Sequence, residues 1–288
     1  MKTGQIRNMA AIVTMGLILV LAAFSPVNAG QTGRLYVVGI GPAGPDLTAP
    51  RALKAIEKAD VFLCSPGMPK KFNRFDEYID PEKVAFNPWE HILGEKAGEL
   101  KNTDPAAWRA GMEKQRNKVQ TFVHELISKG KTVVMMDGGD PCIYGPSLHY
   151  LLEGFDPELF EVIPGMSALN AAGAALKTSL TPAGTRFVLL TAPRSLFGEN
   201  MEKEDNILKD LSKYEATMVW YMSLSSMDKV IGRFRETYPP DLPIAIVYYA
   251  GYPEKQKVLR SRLDRILKDV REMDEKWLGL FIAGRCAE

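Results

Sequence analysis

The chain has 288 residues, with 36 Lys or Arg against 35 Asp or Glu, and 46% of its residues are hydrophobic. A net charge of +1 supplies no bulk field for gripping a nucleic-acid backbone, and the apolar fraction is that of a folded globular protein. The length accommodates two modest α/β domains or one large one.

The N-terminal segment differs in kind from the rest. Lys2 and Arg7 precede an uncharged run from Met9 to Phe24, Pro26 interrupts it, and Val27-Asn28-Ala29 follows at the place of a cleavage site. That order is the pattern of a secretory signal peptide over residues 1–29, cut after Ala29. The apolar run is short for a bilayer span, which takes about 20 residues. The expectation is an exported, periplasmic protein with no stable membrane anchor after cleavage; if residues 1–33 come from an upstream start and target nothing, the protein is cytoplasmic.

Beyond the leader, short apolar strands alternate with helical patterns. Strands are predicted at 34–40, 61–64, 132–136 and 160–163, with helices over 50–58, 114–128, from Ser147, and over 167–175. After Thr181-Pro182-Ala183-Gly184, which reads as a linker, a second series places strands at 186–191, 217–221, 244–249 and 278–282. Helices are predicted between them at 202–213, 227–237 and 263–273. Two consecutive α/β domains, 30–180 and 181–288, are the simplest architecture. Residues 85–113 break the alternation, with Trp89, His91 and Trp108 set in a polar, Pro- and Gly-containing stretch. They read as an exposed connection or as a cap over a flat aromatic ligand.

Two loops carry the chemistry. Gly39-Ile40-Gly41-Pro42-Ala43-Gly44 fits G-x-G-x-x-G between a strand and a helix. Pro42 and Pro45, however, remove N–H groups that a pyrophosphate cradle needs, and the second strand runs into Ser65-Pro66 with no carboxylate for a ribose. A dinucleotide site is therefore disfavoured. In Val133-Val134-Met135-Met136-Asp137-Gly138-Gly139-Asp140-Pro141 a strand delivers two glycines and an acid to the end of a sheet. The glycines admit a ligand close to the backbone, and Pro141 fixes the path after Asp140.

Cys64, Cys142 and Cys286 are odd in number and far apart, so they suggest neither a disulfide framework nor a zinc site. Cys64 reads as a core residue and Cys142 as an exposed one. His91, His124 and His149 form no metal-ligand cluster, and no metal is expected. Arg51, Lys70, Lys71 and Arg74 are either solvated surface charge or contacts for substrate carboxylates.

In order and spacing, these segments resemble the tetrapyrrole methylase family, the S-adenosylmethionine-dependent corrin and porphyrin methyltransferases. The resemblance is carried by Val37-Val38-Gly39-Ile40-Gly41-Pro42 with Pro45-Asp46-Leu47-Thr48, Ala59-Asp60-Val61, and Gly138-Gly139-Asp140-Pro141 with Ile143-Tyr144-Gly145. It continues through Val162-Ile163-Pro164-Gly165-Met166-Ser167-Ala168, Leu180-Thr181, Val219-Trp220-Tyr221-Met222 and Pro243-Ile244-Ala245-Ile246-Val247. It implies two α/β domains with the cofactor in a trough between them, and a homodimer. The cofactor contacts it implies are Pro42, Gly138, Gly139, Asp140, Ile143, Ser167, Ala168, Met222 and Ala250. The implied activity is methylation of a ring carbon of a tetrapyrrole, in cobalamin or porphyrin biosynthesis. In the uroporphyrinogen branch an aspartate after the second strand is the expected base, and here that position is Ser65, so the catalytic residues stay unassigned. An exported relative that holds a tetrapyrrole or nucleoside-like ligand without methylating it is the alternative.

Overall fold

The computed structural model describes residues 33–65, 74–93, 95–193, 207–273, 275 and 278–288. The expected signal peptide, Lys70 and Lys71 lie outside the described residues. Two five-stranded sheets organise the chain. The first has the order β3-β2-β4-β1-β5, with β1 Arg34–Gly39, β2 Val61–Leu63, β3 Val84–Phe86, β4 Thr132–Asp137 and β5 Phe160–Ile163. Every pairing in it is parallel. Parallel strands are covered on both faces and so read as continuous apolar runs; Val133, Val134, Met135 and Met136 are all fully buried.

The connections explain where a site forms. From β1 the chain crosses through helix α1 (Pro50–Glu57) past β4 to β2, whereas from β4 it crosses past β1 to β5. Adjacent strands β1 and β4 thus send their chains in opposite directions, which opens a crevice at their carboxyl ends. The loops after β1 and β4, the two singled out from sequence, flank that crevice.

Residues 85–113 are not the exposed connection expected from their polarity. They contain most of β3, helix α2 (Glu95–Thr103) and the start of helix α3, which runs Pro105–Ser128 rather than beginning at residue 114. Asp104 caps α3 by accepting from the Ala107 N–H at 2.9 Å, with Pro105 in the first turn. Trp89 and Trp108 are both buried, Trp89 within the first core and Trp108 under Lys101, whose Nζ lies 3.9 Å from the ring centroid. Neither indole face is free to cover a ligand, so these tryptophans form no cap.

The second sheet has the order β6-β7-β10-β8-β9, with β6 Phe187–Thr191, β7 Ala216–Trp220, β8 Pro243–Tyr248, β9 Lys257–Arg262 and β10 Gly279–Ala283. Only β6 and β7 pair in parallel; the other neighbours are antiparallel. Helix α4 (Ala168–Leu176), which follows the first sheet, packs on this second one. Ala171, Ala172 and Leu176 share a core cluster with Val219, Ala245, Val247 and Ile282. Small residues on α4 allow that close approach, and they join the two halves next to the crevice. Helices α5 (Ile207–Leu211), α6 (Met227–Arg235) and α7 (Ile266–Arg271) complete the second half.

Candidate active site at the crevice between β1 and β4

Glycine is required here by contact rather than by convention. A Cβ on Gly39 would lie 2.4 Å from the Gly165 nitrogen, and one on Gly165 would lie 2.1 Å from the Gly139 carbonyl oxygen. Three loops therefore meet backbone to backbone at the ends of β1, β4 and β5. Gly41 and Gly139 fasten the first two, each N–H donating to the other's carbonyl at 3.2 and 2.8 Å. That bond also consumes the Gly41 N–H, and Pro42 has none, so two of the donors a pyrophosphate cradle would use are missing. The dinucleotide reading fails on the structure as it did on the prolines. Thr48, buried, closes the same loop by donating to the Ile40 carbonyl at 2.6 Å.

The loop after β4 is open where it matters. A Cβ on Gly138 or Gly139 would meet no atom of the described residues within 4 Å beyond its own chain neighbours, so the backbone there is open to approach. Asp140 is fixed beside it, its Oδ1 accepting from the Cys142 N–H at 2.8 Å, while the Ile143 N–H donates to the Asp140 carbonyl at 3.0 Å. Tyr144 is exposed and has φ of 60°, a left-handed conformation that a bulky residue keeps only when its surroundings hold it there.

Tyr144 reaches across the crevice. Its ring centroid is 4.9 Å from that of Tyr221, which follows β7 in the second half. The Tyr221 hydroxyl in turn lies 2.8 Å from Oγ of Ser167, the N-cap of α4. Burial pushes the Tyr221 phenol above its ordinary pKa, opposed by the Ser167 hydrogen bond and helped by the charge of nearby Asp140. It is a neutral hydrogen-bonding group at neutral pH. Met222, next in the chain, is exposed at 61% with φ of 53°. On the remaining side Ala250 is buried, and a Cβ on the adjoining Gly251 would lie 2.6 Å from Leu47 Cδ1 and 3.5 Å from Pro42 Cγ.

Contacts thus link the loops carrying Pro42, Gly138, Gly139, Asp140, Ile143, Ser167, Ala168, Met222 and Ala250 around one cleft. Ala168 enters only as the first residue of α4, and Ile143 only through the turn at Asp140. Arg51 and Arg74 do not face it as free cations: Arg51 pairs with Glu161, and Arg74 with Asp46. Cys64 is buried, with burial pushing its thiol up to about 12, and Cys142 is exposed. Among the described residues no group of three His, Cys, Asp or Glu side chains gathers to hold a metal.

Two residues of the site were not selected from sequence. Tyr221 lies in a quoted motif, but its partner is distant in the chain. Asp137, fully buried at the end of β4, accepts from Ser147 Oγ at 2.6 Å. Its signal was an ionisable residue closing an otherwise apolar strand, which demands a partner.

The model of the tetrapyrrole (corrin/porphyrin) methylases matches residues 34–267, which takes in every loop of the cleft. The chain belongs to the tetrapyrrole methylase family. Family membership makes it an S-adenosylmethionine-dependent methyltransferase, as the motifs implied. It is 30% identical over 257 residues to a cobalt-precorrin-4 C(11)-methyltransferase of Methanocaldococcus jannaschii, covering 87% of each chain. It is 27% identical to a uroporphyrinogen-III C-methyltransferase of Cyanidium caldarium, over 83% of this chain and 87% of the relative. Among solved structures, a cobalt precorrin-4 methyltransferase of cobalamin biosynthesis superposes with a TM-score of 0.65 at 25% identity, over 92% of this chain and 100% of that one. A Thermus thermophilus uroporphyrin-III C-methyltransferase in complex with S-adenosyl homocysteine shares the fold, with a TM-score of 0.59, 20% identity, and 88% and 98% coverage.

The cleft of this tetrapyrrole methylase fits the family's cofactor. It has bare backbone at Gly138 and Gly139, uncharged hydroxyls on Ser167 and Tyr221, apolar flanks, and the Asp140 carboxylate, a lining suited to a nucleoside ligand that carries a positive charge.

Proposed function

We propose that the protein is a C-methyltransferase acting on a tetrapyrrole of the precorrin or porphyrinogen class, with S-adenosylmethionine held at the crevice between β1 and β4. The observation that carries this reading is the open backbone at Gly138 and Gly139, ringed by the loops of both halves. The sulfonium methyl of the cofactor is already an activated electrophile, so the bound cofactor supplies the reactive group. The chain aligns and encloses. Gly138 and Gly139 admit a ligand to the main chain, Ser167 and Tyr221 offer hydrogen bonds, and Tyr144 with Met222 presents exposed apolar surface at the mouth for a ring system. Tyr221, a phenol that is neutral at neutral pH and whose pKa burial raises further, serves as a hydrogen-bonding group and not as the base that accepts the ring proton.

Cobalt-precorrin-4 is the first substrate to assay, because the M. jannaschii relative is named for it. Transfer of label from methyl-labelled S-adenosylmethionine to the macrocycle is the expected result. Tight binding of S-adenosylhomocysteine without transfer to any precorrin or to uroporphyrinogen III would establish the non-catalytic binding role instead.

The mature chain is further proposed to begin near Gly30, outside the cytoplasm, and to assemble as a homodimer. Support for the first is the order of charge, apolar run and cleavage residues before Gly30; for the second it is family resemblance. N-terminal sequencing after cell fractionation tests the one, with a cytoplasmic product retaining Met1 against it. Light scattering tests the other, with a concentration-independent monomer against it.

A further inference from the structure

From Val133 to Met136 strand β4 is apolar and fully buried, and its last residue is Asp137. Asp137 is as fully buried as the four residues before it, and a carboxyl in that place costs stability that a continued apolar run would not. Its bonds go to one residue. Oδ1 accepts from Ser147 Oγ at 2.6 Å, and the Ser147 backbone N–H is directed at the same carboxyl, while Oδ2 has no partner among the described residues. Ser147 is itself fully buried, and its Oγ lies 3.4 Å from Trp89 Nε1, which donates to it. The Asp137 carbonyl meanwhile accepts from the Ile40 N–H at 3.0 Å, which ties the same residue to the first loop.

The placement of this bond is informative. The chain leaves the sheet at Asp137 and re-enters the core at Ser147, so the side-chain bond closes the base of the intervening loop. Gly138, Gly139, Asp140, Ile143 and Tyr144 all lie between. Within that loop Gly139 and Tyr144 have φ of 77° and 60°, and Tyr144 needs a fixed frame to remain there.

We propose that Asp137 is a positioning residue of the methyl-transfer site: through Ser147 it closes the loop 138–146 at its base and sets the spacing between the Gly138-Gly139 backbone and the Tyr144 ring. The inference rests on the cofactor-site reading above. Asp137 acts through Ser147 and the main chain, without touching the reacting atoms. Its burial pushes the carboxyl up to about 6, with the Ser147 bonds opposing the rise.

The test is calorimetric titration of S-adenosylhomocysteine into the full protein and into Asp137→Ala, Ser147→Ala, the double variant and Asp137→Asn, at a temperature where circular dichroism shows each one folded. Each alanine variant is expected to bind about 10- to 100-fold more weakly, the scale of a lost hydrogen bond to a charged group. The double variant should bind no more weakly than Asp137→Ala, because both changes remove one linkage. Asp137→Asn keeps an acceptor for Ser147 and is expected to stay within about threefold of the unaltered protein. Should Asp137→Ala fail to fold, Ser147→Ala against Asp137→Asn carries the comparison. Lower melting with unchanged affinity, additive losses, or no rescue by asparagine would overturn the proposal. If the unaltered protein binds no S-adenosylhomocysteine, the cofactor-site reading fails and takes this inference with it; unchanged variants of a protein that does bind remove this inference alone.

Discussion

The Tyr221 hydroxyl and the Ser167 Oγ lie 2.8 Å apart, one following a strand of the second sheet and the other capping the helix that leaves the first. This bond joins the two halves at the cleft itself, beside the packing of α4 on the second sheet. Removing it with Tyr221→Phe keeps the ring against Tyr144 and deletes only the hydroxyl. The expected loss of stability is about 1 kcal/mol, read as a shift in urea midpoint. Affinity for S-adenosylhomocysteine should fall as well, because Ser167 loses the partner that orients it. Unchanged midpoint and unchanged affinity would show that the bond holds nothing together.

Gly138 and Gly165 provide a matched pair. Beside Gly138 there is open space and no left-handed backbone to strain, so Gly138→Val is expected to fold with little change in melting temperature. Its side chain would occupy the space assigned to the cofactor, and binding of S-adenosylhomocysteine should be abolished. Gly165→Ala has the reverse signature. Its Cβ would sit 2.1 Å from the Gly139 carbonyl oxygen, and a clash with backbone in a packed site is expected to destabilise by about 1–3 kcal/mol. Gly138→Val that binds as tightly as the unaltered protein would remove the loop from the cofactor site. Gly139 is the less informative position, because its φ of 77° strains any side chain before a ligand is considered.

Four strands of the parallel sheet were legible as short apolar runs, β1, β2, β4 and β5 falling within a residue of where those runs stand, whereas β3, a three-residue edge strand with no fully buried residue, was not. β9 was missed for the converse reason. It is an edge strand, Lys257-Val258-Leu259-Arg260-Ser261-Arg262, and charged residues on an edge discourage pairing with other chains while erasing the apolar signal. Trp89 and Trp108 misled because a polar neighbourhood in sequence says little about a side chain that turns inward. The loops of the site were legible from their glycines and prolines. The links between them were not, since Tyr144 with Tyr221 depends on how the halves come together and Gly39 with Gly165 on β5 lying beside β1 in the sheet.

Arg260 illustrates a stabilising role that charge alone does not reveal. Its guanidinium donates to the Leu176 carbonyl at the end of α4 and to the Ala287 carbonyl near the C-terminus, at 2.8 and 2.9 Å. Orphan carbonyls at a helix end need such donors. Arg260→Ala is expected to cost about 1–2 kcal/mol, and Arg260→Lys, with a single point of donation, should recover only part of it. Equal stability of all three proteins in urea would mean that water serves these carbonyls as well as Arg260 does.

Asp137 gives the protein a pH dependence of defined sign. Burial raises its carboxyl from 3.8 to about 6, so between those values the unfolded chain has released the proton while the folded one still holds it. The contribution to stability is therefore fully present below about pH 4, falls as pH rises through about 6, and is level above that. A shift of about two units corresponds to about 3 kcal/mol. Asp137→Asn cannot ionise and avoids that loss, although its amide must find an acceptor where Oδ2 has no partner among the described residues. The variant is thus expected to be more stable than the unaltered protein above about pH 7, by up to about 3 kcal/mol, with the advantage shrinking as the pH is lowered toward 4. Urea midpoints for both proteins across that range measure the difference directly. A difference that does not vary with pH would show that the buried carboxyl titrates as it does in the unfolded chain.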